Sequence, residues 1–246
     1  MGWRTARGLW RLALAVTGLG ALVARFLYGL GFRSFASVDY FGYLTVQSNA
    51  AAVAVFAWSG VTLLRGRPET PAISTARACV TCYLLVAGIV FALLASVAPA
   101  QGYRLEVPPS DQVLHFFVPT FALLDWLVSP GRHPVRTRVI GLMLLYPVVW
   151  GLLTIVRGRI VGWYPYFFLD PAQAGYPVSF LLYSAGALAL FALVAAGLVA
   201  ASRTPPVAER DPLLPRRSPV DHGPGLVHLL ALLLLSRRPR RTRRDS

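Results

Sequence analysis

The chain has 246 residues, of which 56% are hydrophobic and only 14% charged, with a mean hydropathy of +0.57 and a formal net charge of +14. That balance excludes an ordinary soluble domain. The charge does not point to nucleic acid either, because its basic residues, all arginine, fall between apolar runs and in the tail rather than on one folded patch.

Apolar runs of about 20 residues recur, each long enough to cross roughly 30 Å of hydrocarbon. They predict six spans, near 10–31, 43–64, 78–98, 112–128, 138–157 and 178–201. Arg4, Arg7 and Arg11 precede the first. Its apolar stretch continues through Phe26, Leu27 and Tyr28, too far for a cleaved leader, and reads as a retained anchor. The second span opens on an unusually polar segment, Tyr43-Leu44-Thr45-Val46-Gln47-Ser48-Asn49. Arg65, Arg67 and Arg77 separate it from the third, whose start carries Cys79 and Cys82. A lone C-x-x-C without further ligands is read as two small helix residues, and neither a metal nor a cofactor is expected.

Asp111, His115, Pro119 and Asp125 mark the fourth span, and Arg132, Arg136 and Arg138 follow it. Asp125 is expected to pair with Arg132 or Arg136 at the interface. The fifth contains Pro147 and ends near Arg157, ahead of an aromatic run at Tyr164-Pro165-Tyr166-Phe167-Phe168. That run reads as an interfacial belt. Past the sixth span, residues 202–246 are rich in Arg and Pro and are expected to be largely disordered. A run of about ten apolar residues, Leu226 to Leu235, is too short to span.

Arginines concentrate before the first span, in alternate connections and in the tail, which by the positive-inside rule puts both termini in the cytoplasm. The expected fold is all-α: a polytopic bundle of six transmembrane helices over residues 1–201, with its surroundings membrane lipid.

Polar groups inside hydrocarbon are costly and mark candidate sites. Thr45, Ser48 and Asn49 share one helix face, three and four residues apart. A membrane threonine commonly bonds its own carbonyl four residues back, so Thr45 is either that or a nucleophile. His115 is the sole histidine inside a span. With Asp111 one turn earlier to hold one ring nitrogen, its other nitrogen is free to act as a base. The alternative is an interfacial histidine bonded to a neighbouring helix. Arg157 either snorkels to headgroups or holds a carboxylate or developing oxyanion.

Tyr43-Leu44-Thr45, then Leu114-His115 with Val118-Pro119, then Trp163-Tyr164-Pro165-Tyr166 with Phe168-Leu169-Asp170, occur in this order. Over roughly residues 8–200 the chain resembles the bacterial Pr6Pr membrane proteins, and more distantly the androgen-induced, FAR-17a-like family of eukaryotes. The resemblance implies a multi-pass protein of the bacterial cytoplasmic membrane and an intramembrane hydrolase of lipid esters, such as fatty acid esters of hydroxy fatty acids. It assigns the nucleophile to Thr45 and the base to His115. The competing reading is a non-enzymatic bundle that binds or transports a small lipophilic molecule.

Overall fold

The computed structural model describes residues 2–97 and 107–206, and among them every regular element is helical. In chain order they are α1 (Trp3–Leu30), a short α2 (Ser37–Tyr40), α3 (Leu44–Leu64), α4 (Pro71–Val97), α5 (Pro109–Gln112), a π turn at Val113–Phe117, α6 (Val118–Val128), α7 (Val139–Val161), a 3-10 turn at Phe167–Leu169, α8 (Pro171–Ala174) and α9 (Val178–Ser202). Helices α1, α3, α4, α7 and α9 are each long and apolar enough to cross a membrane. The segment expected at Leu226 to Leu235, and most of the expected tail, lie outside the described residues.

Helix α4 is the hub: it packs against α3, α6, α7 and α9, while α1 lies along α3. Small residues permit the α1–α3 approach, since a Cβ at Gly60 would come within 2.9 Å of the Gly8 carbonyl oxygen. One core joins Leu14, Ala52, Phe56, Leu84 and Ala122 across α1, α3, α4 and α6. A second gathers Cys82, Trp126, Met143, Phe191 and Ala195 from α4, α6, α7 and α9. The outside is also apolar, with Val16, Leu19, Leu145, Leu152, Leu153, Leu182 and Leu193 all exposed. Contiguous apolar exterior of this kind suits hydrocarbon, not water.

Helices α1 and α4 start about seven residues earlier than the sequence reading placed their spans, running through Arg7, Arg11 and Arg77. These arginines are not at an interface with water. Arg11 is fully buried, its Nε 3.2 Å from both Asp125 carboxylate oxygens and its Nη1 2.9 Å from Glu69 and 2.6 Å from Ser59. Arg77 bonds Glu69 at 2.6 Å and also bonds the Asp125 carboxylate. Ser74 and Ser129 donate to the same two acids, at 2.7 Å and 2.9 Å. Asp125 therefore pairs with Arg11 and Arg77 rather than with Arg132 or Arg136. Arg132 instead donates to the carbonyls of Trp126, Ala201 and Thr204, closing the ends of α6 and α9.

Burial by itself would raise the Glu69 carboxyl, but the Arg77 and Arg11 guanidiniums and the Ser74 hydroxyl outweigh it and hold the group below the usual carboxylate range. Removing one member of such a network leaves buried opposite charges unpaired, which costs about 3–5 kcal/mol. Glu69→Gln is expected to lower the thermal midpoint of the detergent-solubilised protein by several degrees, and an unchanged midpoint would show that Glu69 is not buried against Arg11 and Arg77.

Candidate active site

At the other end of α3, the backbone turns into the helix at Tyr43, and Thr45 is its second residue. The Thr45 hydroxyl does not bond the carbonyl one turn back; the Phe41 carbonyl is taken by Gln47 Nε2 at 2.8 Å. Thr45 Oγ1 lies 3.2 Å from His115 Nε2 and 3.4 Å from the Tyr166 hydroxyl. Ser48 Oγ and Asn49 Nδ2 both donate to the Thr45 carbonyl, at 3.1 Å and 2.9 Å. They fix the backbone of Thr45 rather than touching its hydroxyl.

His115 sits in the π turn, whose geometry follows from its sequence. Val118 N–H reaches five residues back, to the Val113 carbonyl. Pro119 has no N–H to offer, so the Leu114 carbonyl lacks an ordinary helical donor. Asn49 Nδ2 supplies one from α3, at 3.4 Å. The α3 face and the π turn are thus joined directly beneath the Thr–His pair.

The imidazole is held on both sides. Phe91 of α4 stacks on it, with ring centroids 3.9 Å apart and planes 18° from parallel. His115 Nδ1 lies 2.9 Å from the Asp111 backbone oxygen. An N–H at Nδ1 must donate there, because a carbonyl can only accept, and in the neutral imidazole this leaves Nε2 unprotonated and facing the Thr45 hydroxyl. The expected carboxylate contact is replaced by the backbone of the same residue. The carbonyl four residues back is already in place on the helix, while the Asp111 carboxylate pairs with Arg25 at 2.8 Å.

Arg157 does not reach this site. Its guanidinium bonds Asp39 and lies 4.9 Å from the Trp163 ring centroid, tying α7 to the segment before α3. The residue that sequence reasoning missed is Tyr166, read there only as part of an aromatic belt. Its position within a Trp-Tyr-Pro-Tyr run carried no sign that its hydroxyl turns inward. Tyr43, Trp150 and Phe168 pack around its ring, at centroid distances of 5.9, 6.0 and 5.2 Å. Burial holds the Tyr166 phenol above its ordinary pKa, so it is a protonated donor at neutral pH.

Thr45, His115 and Tyr166 stand together in the wall of a cavity of about 220 Å³. The remainder of the wall is mostly apolar and comes mainly from α4, α7 and α9, including Val90, Phe91, Pro147, Gly151, Leu188 and Phe191. Val148, Leu152 and Leu188 border the cavity and are also exposed on the apolar exterior. Among the described residues no three His, Cys, Asp or Glu side chains group as metal ligands, and Cys79 and Cys82 are both free. Comparison with family models, curated proteins and solved structures returns no match.

Gly88 sets the spacing between α4 and the π turn, because a Cβ there would run into the His115 carbonyl oxygen. Backbone cannot swing aside as a flexible side chain can. Gly88→Ala is expected to push the His115 segment from α4 and to lower the thermal midpoint, even though alanine favours a helix by about 1 kcal/mol. A gain in stability would show that the two backbones are not in contact.

Proposed function

We propose that this protein is an intramembrane hydrolase of lipid esters, with Thr45 as nucleophile and His115 as general base. One observation carries the reading: in the wall of an apolar cavity a hydroxyl meets an imidazole nitrogen free to accept, and a backbone oxygen fixes the other ring nitrogen. An unactivated threonine is a weak nucleophile, and a positioned base with a third group behind it is what activation requires. His115 takes the Thr45 proton as Oγ1 attacks the ester carbonyl. Collapse of the tetrahedral species expels the alcohol, which receives that proton from His115. Water then attacks the acyl-threonine with His115 again as base, releasing the acid and restoring Thr45.

The substrate reading follows from the walls. The cavity is smaller than the roughly 300–1,000 Å³ typical of sites for drug-sized ligands, which suits a single slender chain. Its apolar lining favours an acyl group, and its border on the apolar exterior allows entry from lipid. Residues 109–128, about 30 Å of helix by the rise of 1.5 Å per residue, complete a sixth span in this reading. With arginines gathered at the Glu69–Asp125 end, both termini lie on the cytoplasmic side and the Thr–His pair towards the outer leaflet. The membrane is a bacterial cytoplasmic membrane, following the resemblance to the Pr6Pr proteins.

Purified protein in detergent is expected to label covalently with an alkyl fluorophosphonate. Thr45→Ala and His115→Ala should each abolish labelling while keeping the thermal transition of the parent. Labelling that persists in both variants would overturn the assignment; a folded parent that does not label would favour a bundle that binds or carries a lipophilic molecule without turnover. Gly151 lines the cavity and a Cβ there meets nothing within 4 Å, so a larger side chain can be introduced at its wall. Gly151→Phe is expected to shift the preferred p-nitrophenyl ester from long to short acyl chains, and an unchanged chain-length profile would place the acyl group elsewhere.

A further inference from the structure

Attack on an ester carbonyl puts negative charge on its oxygen, and in a site walled by hydrocarbon that charge needs a donor already in place. His115 cannot serve, since its Nε2 is the base. The cationic candidates are occupied elsewhere, Arg157 by Asp39 and Arg25 by Asp111. The Asn49 amide is turned to the Thr45 and Leu114 carbonyls, and Ser48 to the Thr45 carbonyl. Among the described residues one side-chain donor remains within reach of the nucleophile, the Tyr166 hydroxyl, 3.4 Å from Thr45 Oγ1 and in the same cavity wall.

Resting on the hydrolase reading above, we propose that Tyr166 is a third catalytic residue, whose hydroxyl donates to the oxyanion formed when Thr45 attacks the ester. Three properties of this chain support the role. The Tyr43, Trp150 and Phe168 rings fix the Tyr166 ring, so only its O–H has to turn from Oγ1 to the carbonyl oxygen as charge develops. Tyr166 and His115 both approach Oγ1, and the base takes the proton of Oγ1, which leaves the phenol O–H as donor rather than acceptor. The Leu44 and Thr45 N–H groups open α3 beside this site and have no acceptor within the helix. Their dipoles add positive potential in the same corner. The step balances without a further reactant: the carbonyl π electrons move to oxygen as the Oγ1–C bond forms, and return as the C–O bond to the leaving alcohol breaks.

Tyr166→Phe removes the donor and keeps the ring contacts. On a p-nitrophenyl ester it is expected to lower kcat and the rate of fluorophosphonate labelling about a hundredfold, with KM little changed. Tyr183→Phe is the matched control: it takes a hydroxyl from a ring packed on Phe167 and Phe168 but from no contact with Thr45 Oγ1, and should react at the parent rate. Both variants should show the parent's thermal transition. Parent-like kcat in Tyr166→Phe, with Thr45→Ala and His115→Ala inactive, would overturn the role of Tyr166 and leave the hydrolase standing. Equal losses in Tyr166→Phe and Tyr183→Phe would also overturn it, since packing rather than donation would then be responsible. A folded parent that neither labels nor turns over ester would remove the hydrolase reading and this inference with it.

Discussion

Five charges buried at one end of the bundle hold this structure in register. Arg7, Arg11 and Arg77 meet Glu69 and Asp125 among apolar helices, and each acid is shared between arginines from different helices. Isolated, any of these groups would be costly to bury. Assembled, with Ser59, Ser74 and Ser129 filling remaining positions, they bind α1, α3, α4 and α6 at defined heights. Apolar packing alone tolerates sliding; a guanidinium between two carboxylates does not. The network is thus better understood as fixing one arrangement of helices than as a large net gain in stability.

That fixed register matters at the opposite end. Thr45 belongs to α3 and His115 to the π turn between α5 and α6, so their 3.2 Å separation depends on the relative height of two elements. Local devices then refine it. The π turn and Pro119 leave a carbonyl for Asn49, Gly88 lets α4 approach the turn, and Phe91 covers the imidazole. Polar residues that looked like possible contacts to a ligand prove to be the scaffold of the pair. Asn49 and Ser48 hold the Thr45 backbone, and the Asp111 backbone holds His115 Nδ1, without meeting Thr45 Oγ1 or His115 Nε2.

The cavity and the pair impose different demands, and the chain separates them. Helices α7 and α9 present mainly apolar wall and apolar exterior, with few internal polar contacts. Helices α1, α3 and α4 with α6 carry the ionic network. The polar half therefore positions the Thr45–His115 pair, while a simpler hydrocarbon half shapes the cavity beside it. The aromatic segment after α7 links the two, bringing Tyr166 to Thr45 and placing Trp150 Nε1 3.1 Å from the Gly42 carbonyl.

The sequence by itself determined the helical class, the approximate positions of five apolar helices long enough to cross a membrane, and the two residues that meet. Apolar length reports a helix suited to hydrocarbon, and a histidine or polar helix opening within such a run is conspicuous because it is costly there. It misjudged the starts of α1 and α4, because an arginine in sequence reads as the end of a span unless its carboxylate partners are known. Those partners, Glu69 and Asp125, lie 58 and 114 residues from Arg11. The tertiary structure alone decided that pairing, the use of the Asp111 backbone in place of its side chain, the departure of Arg157 from the site and the arrival of Tyr166. Each is a matter of direction and height between separate helices, and residue type carries no record of either.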